Sequence, residues 1–420
     1  FWLKCFENPN TEADFILFSG SRNHTYSMTY LALALFFSHF EITPASFSDR
    51  RGHADLEDKD DVQFMQTRVR VNATLRDERV PIPVSNYHAM IQTIALNAQS
   101  TAADTCRGYD GLPKGLAGTS CCPGDDHWLG LMAQADPTLT HKAFMIVGCN
   151  TGVDAVRFLQ MWGNKQGVMG QWKRELNGVL KGHGGACGQN ALASADDAPP
   201  KAYLSTSKVF CVEPGPSNVK VLEQAKTAVF GEGGPFTVLA VAGSDAEGTA
   251  FFPDLPPGSL DGEVGQINKK WHNAPQKEVR VTTVDQLVSE NNLTGLDGLV
   301  IDAECFDPAV LAGAKETLRT ARYLMWEESQ GSVNGDIGCL PDTPSAQVRL
   351  HTLLGMVDAH GFDCYWAGNG AKVQRLTGCW NSELEDQHFP LQWTNVVCVR
   401  RGDVWHDIFA KLDTGLSAPA

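Results

Sequence analysis

From residue 143 onward the sequence predicts an α/β domain, doubly wound on a mostly parallel sheet. Three observations predict it. Short apolar runs alternate with stretches of helical periodicity, the pattern of βαβ units. The first run ends in two glycines placed for a tight turn into a helix. The second and fourth runs end in carboxylates, where an open parallel sheet places its ligand-binding groups.

The elements follow in order. Ala143 to Val147 is the first strand, leading through Gly148-Cys149-Asn150-Thr151-Gly152 into a helix over Asp154 to Trp162. Lys208 to Val212 is the second, ending at Glu213-Pro214 ahead of a helix over Ser217 to Ala228. Phe236 to Ala242 is the third. Gly298 to Ile301 is the fourth, with a helix over Pro308 to Ala321, and Tyr323 to Trp326 the fifth, with a later helix over Ala346 to His360. Two insertions interrupt the series, at 163–206 and 253–277. The first contains GHGGACGQNALASADDAPP and has little to bury, so it is expected to form a mobile cover over the cleft rather than part of the core.

Residues 1–130 read as an N-terminal extension, 131–410 as the main domain and 411–420 as a tail. The extension holds an apolar stretch at Leu31 to Phe37, too short to span a bilayer and read as a buried helix, a strand at Val69 to Leu75 and a helix at Tyr87 to Gln99. Cys106 to Asp126 reads as an irregular surface loop. The chain opens on Phe1 rather than Met, which leaves any signal or anchor ahead of it unread.

The chain has 420 residues, of which 43% are hydrophobic and 20% charged, the composition of an ordinary globular protein. Its formal charge of -15 disfavours a phosphate-backbone binder, so nucleic acid is not an expected partner. Twelve cysteines occur without a CxxC pair, which argues against a zinc ribbon and leaves room for a few disulfides, for which the clusters Cys106, Cys121, Cys122 and Cys339, Cys364, Cys379 are candidates. The histidines are scattered with no HxxxH or HxH, and no metal site is expected. Trp366, Trp380 and Trp393 read as packing residues.

The chemistry concentrates at the strand ends. Gly148 and Gly152 let the backbone turn and let a ligand approach, and a carboxylate at Glu213 can accept both hydroxyl protons of a ribose. Two cofactors suit such a pair, a dinucleotide and S-adenosylmethionine. The dinucleotide fingerprint G-x-G-x-x-G is missing, whereas the second ligand has no pyrophosphate and needs only backbone room and an acid. At the fourth strand, Asp302 and Glu304 share a face while the chain stays extended, and their repulsion would raise one of them toward general-base range. Asp307 reads as the N-cap of the next helix.

These segments resemble the FkbM-type S-adenosylmethionine-dependent methyltransferases. IVGCNTG resembles the family's loop after the first strand, FCVEP its second-strand motif, AVAGSDAEGTAFF its A-x-S-D segment, VTTVDQL its T-L-D segment and LVIDAECFDPAVLAGAKETL its fourth-strand block. The likeness covers about residues 143–330 and continues more faintly to about 405. Ile146, Val300 and Cys305 depart from it, standing where the family has an acid, a lysine and a glycine. The resemblance implies a Rossmann-like sheet of the class I methyltransferase type, with S-adenosylmethionine held by Gly148, Asn150, Gly152 and Glu213 and with Asp302 and Glu304 as catalytic carboxylates. It further implies O-methylation of a hydroxyl on a sugar, glycolipid or natural product, so the expected partner is a small-molecule or glycan acceptor. An NAD(P)-dependent oxidoreductase and an inactive methyltransferase-like binding module are the alternatives.

Overall fold

The computed structural model describes residues 3–7, 13–17, 67–71, 122–136, 142–163, 167–176, 207–258, 274–328, 343–367, 373–380 and 394–413. The chain divides into two compact units, Phe1–Arg79 and Val80–Ala420. In the first, strands β1 (Leu3–Glu7), β2 (Ala13–Leu17) and β3 (Thr67–Val71) form an antiparallel sheet in that order. The strand expected at Val69 to Leu75 begins two residues earlier and ends at Val71. The helices expected at Leu31 to Phe37 and Tyr87 to Gln99 lie outside the described residues.

Among the described residues of the second unit the first element is α1 (Cys122–Ala135), so the loop expected over Cys106 to Asp126 already turns helical at its end. Then come β4 (Ala143–Val147), α2 (Val153–Trp162), α3 (Val168–Glu175), β5 (Lys208–Val212), α4 (Pro216–Phe230), β6 (Phe236–Leu239), β7 (Val241–Gly243), β8 (Gly248–Pro253), β9 (Gln276–Thr282) and α5 (Val284–Glu290). The series ends with β10 (Gly298–Ile301), α6 (Asp307–Ala312), α7 (Thr317–Thr320), β11 (Tyr323–Glu328), α8 (Pro344–Gln347), α9 (Leu350–Ala359), β12 (Phe362–Ala367), β13 (Val373–Arg375), β14 (Thr394–Arg400) and α10 (His406–Leu412).

The main sheet has eight strands in the order β13-β12-β14-β11-β10-β4-β5-β6. From β6 to β11 every neighbour pair is parallel, whereas β14 runs antiparallel to both β11 and β12. The mixed α/β class is therefore as expected, with an antiparallel third of the sheet that the sequence reading did not resolve. Alternation along the strands explains how both faces are covered. Phe144 and Ile146 of β4 join one apolar cluster with Trp128, Phe158, Trp162, Trp172 and Leu222, while Met145 and Val147 join another with Leu287, Val310, Leu318 and Leu353. Helices thus pack on each side. Trp366 is buried in the second cluster, as a packing residue should be.

Three elements depart from the sequence reading. The third strand breaks at Ala240, because β5 stops pairing with β6 after Leu239, and the chain re-pairs its next residues, Val241 to Gly243, with β9 in a separate three-stranded sheet β7-β9-β8. The helix over Pro308 to Ala321 is two helices, since Gly313 lies against Ser244 so closely that a Cβ would meet its carbonyl oxygen at 2.1 Å. Asp285 then receives the second helix, accepting from Glu316 N at 2.9 Å and Thr317 N at 2.8 Å.

The third departure corrects the expected mobile cover at 163–206. Its first part carries α3, whose Val168, Met169 and Trp172 are wholly buried. Trp172 packs 4.8 Å from the Phe236 ring and donates to the Thr151 carbonyl at 2.9 Å, so this segment belongs to the core. Residues 177–206 lie outside the described ones. Between described cysteines two disulfides are formed, Cys149–Cys211 and Cys364–Cys398, and Cys305 and Cys379 are disulfide-bonded as well, so Cys364 and Cys379 of the group singled out from spacing are both bridged, Cys364 to a cysteine outside that group. The second closes across the antiparallel pair in which Cys364 stands opposite Cys398. Among the described residues no helix is long and apolar enough to cross a membrane.

Candidate functional site

The chain leaves β4 toward β5 on one side and reaches β10 on the other, so β4 and β10 are neighbours that belong to opposite halves of the winding. Such a switch point opens a crevice beyond the carboxyl ends of the strands. A cleft of about 1040 Å³, counted out to its open mouth, lies there. Gly148, Asn150, Glu213, Asp302 and Glu304 all line it, together with a wall from the small sheet that includes Ala250, Phe251 and Val279.

Gly148 makes the close approach possible. Its φ is +85°, and a Cβ there would fall 1.6 Å from the Asp302 carbonyl oxygen. No other residue fits between the two strand ends. Asn150 also turns left-handed, at φ 47°, a conformation asparagine tolerates better than most side chains. Gly152 does not reach the cleft. It precedes α2, and a Cβ on it would press on Leu222 and Trp172, each at 2.9 Å, so its smallness serves packing.

Glu213 is only 4% exposed and is held by three donors. Its Oε1 accepts from Gly215 N at 2.8 Å and from Asn218 Nδ2 at 3.3 Å, and its Oε2 accepts from Asn150 N at 2.7 Å. A carboxylate offers about four acceptor sites, so about one remains, on Oε2. While Asn218 stays in place, that leaves room for one further donor, where the sequence suggested two hydroxyls accepted at once. Asn218 in turn accepts from Gly258 N at 2.9 Å and lies 3.4 Å from Asn150 Oδ1, tying both cleft loops together. Burial pushes the Glu213 carboxyl up to about 7, against the pull of its three donors and with a further push from Asp302. The Cys149–Cys211 disulfide fastens the same two segments, since Cys149 sits between Gly148 and Asn150 and Cys211 two residues before Glu213.

Asp302 and Glu304 come together for a different reason from the one the sequence suggested. The strand ends at Ile301, and the chain then turns left-handed at Glu304 (φ 47°) and Cys305 (φ 76°) instead of staying extended. The turn brings oxygens of Asp302, Glu304 and Glu327 within 4.8 Å of one another. A cation could bridge such oxygens, but apart from their closeness nothing marks one. Asp302 meets water through the cleft while protein crowds its other sides. That crowding, and next the charge of Asp154, raise its carboxyl to about 6. Glu327 is pushed up further, first by burial and then by Asp302, Glu304 and Asp307.

Asp307 corrects another expectation. It is the first residue of α6 rather than its N-cap, is 1% exposed, and accepts from Ala303 N at 3.4 Å, leaving Oδ2 without a hydrogen bond. Burial raises it to about 7.

Asn218 and Glu327 were not found from the sequence. The signal for Glu327 was present, since it directly follows the fifth apolar run just as Glu213 and Asp302 follow theirs. Asn218 carried no comparable mark, being one polar residue in the first turn of α4.

An open α/β sheet with acids gathered round a glycine turn at its switch point defines a crevice for a small organic ligand. Residues 186–356 match the model of the methyltransferase FkbM domain, the family that the motifs resemble, so the chain carries a methyltransferase-type segment. The match takes in β5 through α8 and most of α9, hence Glu213, Asp302 and Glu304, and begins beyond β4 and its glycine loop. No curated protein matches the chain.

Proposed function

We propose that this protein transfers the methyl group of S-adenosylmethionine to a hydroxyl oxygen of a sugar, glycolipid or natural product. One observation carries the reading: the buried Glu213 carboxylate stands across the glycine turn from Asp302, inside a segment that matches a methyltransferase domain. The strand order supports a doubly wound sheet of the class I methyltransferase type, with β14 inserted antiparallel between β11 and β12.

The residues suit this cofactor. Glu213 keeps one acceptor site free for a ribose hydroxyl, Asn150 and Gly148 bring backbone to the cleft, and no glycine-rich pyrophosphate cradle is present in the loop after β4. When bound, the cofactor supplies an electrophilic methyl group on a positively charged sulfur. The protein's own residues position and deprotonate. Asp302 faces the cleft and, ionised above about pH 6, accepts the hydroxyl proton of an acceptor. Glu304 orients the same hydroxyl from the turn. Confining both reactants in one crevice supplies the effective molarity on which such a displacement depends.

The test is transfer of labelled methyl from S-adenosylmethionine to a panel of hydroxylated glycans, glycolipids and polyketide-like acceptors. Label in an ether-linked product supports the reading. Absence of label from every acceptor, with tight cofactor binding, favours an inactive module.

A further inference from the structure

Glu327 stands at the end of β11, beside β10 in the parallel sheet, where Trp326 is the partner of Ile301. The next residue on each strand is therefore Glu327 and Asp302, side by side. Asp302 lines the cleft, whereas Glu327 is not part of its lining. Their oxygens lie within 4.8 Å of one another, with Glu304 the third acid of the group. Two carboxylates this close have acceptors only and repel, and a proton on one partner lets it donate to the other.

We propose that Glu327 is a positioning residue for methyl transfer: it keeps a proton, donates it to Asp302, and thereby fixes the Asp302 carboxylate toward the cleft as the base. The inference rests on the reading of Asp302 as the acceptor's base. The proton stays on Glu327 because burial and its acidic neighbours penalise its charge more than that of Asp302, which still meets water. The charged groups bearing on the pair are Asp154 from α2, Glu304 from the turn, Asp307 from α6 and Glu213 from β5, all acids.

The step balances. As the acceptor oxygen bonds to the methyl carbon, the bond from that carbon to sulfur breaks and its electron pair neutralises the sulfur. The acceptor proton passes to Asp302, taking the pair from one proton and a single negative charge to two protons and neutrality. Loss of one proton to water through the cleft restores it.

The test compares wild type, Glu327→Gln, Glu327→Ala and Asp302→Asn by infrared difference spectroscopy and by calorimetric titration with S-adenosylhomocysteine. At neutral pH the wild type should show more carboxylic-acid carbonyl absorption than Glu327→Gln, beyond the share that Glu213 and Asp307 contribute to both, with cofactor affinity unchanged. In Asp302→Asn that absorption should also fall, since Glu327 no longer faces a carboxylate. In the pH profile of methyl transfer, wild type should lose activity on the alkaline side as Glu327 ionises. Glu327→Gln, a permanent neutral donor, should not. Glu327→Ala should be slow, with its acid limb moved to higher pH, because the donor that favoured ionised Asp302 is gone.

Identical infrared spectra for wild type and Glu327→Gln would overturn the shared proton. Equal alkaline limbs in both would overturn the positioning role. Failure to bind S-adenosylhomocysteine would instead overturn the cofactor reading, and with it the role of the pair in methyl transfer, while the infrared result would still decide where the proton lies.

Discussion

Replacing Glu213 by Gln removes the charge at the centre of the cleft loops and changes little else in volume. The carboxylate takes Gly215 N and Asn218 Nδ2 on one oxygen and Asn150 N on the other. A glutamine has one oxygen, so its amide NH2 must face a backbone N–H, either that of Asn150 or that of Gly215. The variant therefore loses a charge-assisted bond to the ligand hydroxyl and also sets two donors against each other. The first loss is worth roughly 1.5–3 kcal/mol, or about ten- to a hundredfold in affinity.

The pH dependence has a definite sign. With its free-state carboxyl raised to about 7, Glu213 is mostly protonated below that pH and ionised above it. Cofactor binding favours the ionised form, so wild-type affinity should climb as pH rises through about 7 and then level off. The glutamine variant should be weak and should lack this step. Calorimetric titration with S-adenosylhomocysteine on both sides of neutrality measures both. Affinity of the variant equal to wild type, or a wild-type profile without a step, would refute the assignment of Glu213.

Three further outcomes follow from the geometry. Asp302→Asn and Glu304→Gln should each bind S-adenosylhomocysteine with most of the wild-type affinity while methyl transfer falls by ~10²-fold or more, and undiminished turnover would remove them from catalysis. Asp307→Asn should stabilise the protein at pH 8 and leave it unchanged near pH 3. The folded carboxyl is raised from 3.8 to about 7, so stability is lost as pH climbs between these values, and urea denaturation at both pH values reads the difference, a few kcal/mol at most. Gly148→Ala should abolish cofactor binding, because its Cβ would overlap the Asp302 carbonyl at 1.6 Å in a left-handed turn, and near-normal affinity would show that the strand ends separate easily.

Much of this fold was legible because the parallel strands are apolar on both faces. The runs AFMIV, KVFCV and GLVI stand out in sequence and are strands with the bounds expected. Their ends then located Glu213 and Asp302 with no further information. What the sequence hid depends on contacts between distant segments. Nothing local at Ala240 says that β5 will stop offering a partner, and nothing near Gly313 announces the Ser244 carbonyl against it. The insertion at 163–206 looked poor in buried groups as a whole, yet Trp172 within it fills the space beside Gly152 and Phe236. Gly152 illustrates the same limit in reverse: its place in the motif suggested ligand approach, and the side chains around it show packing. Cysteine spacing likewise said nothing of Cys149 and Cys211, which meet only because β4 and β5 are sheet neighbours.

The central claim is that the crevice between β4 and β10 holds S-adenosylmethionine and not a dinucleotide. Side-by-side calorimetric titrations of the wild-type chain with S-adenosylhomocysteine and with NAD test it most directly. Saturable binding of S-adenosylhomocysteine, weakened at least tenfold by Glu213→Gln, with no heat from NAD, is the result expected. Binding of NAD with none of S-adenosylhomocysteine would contradict it.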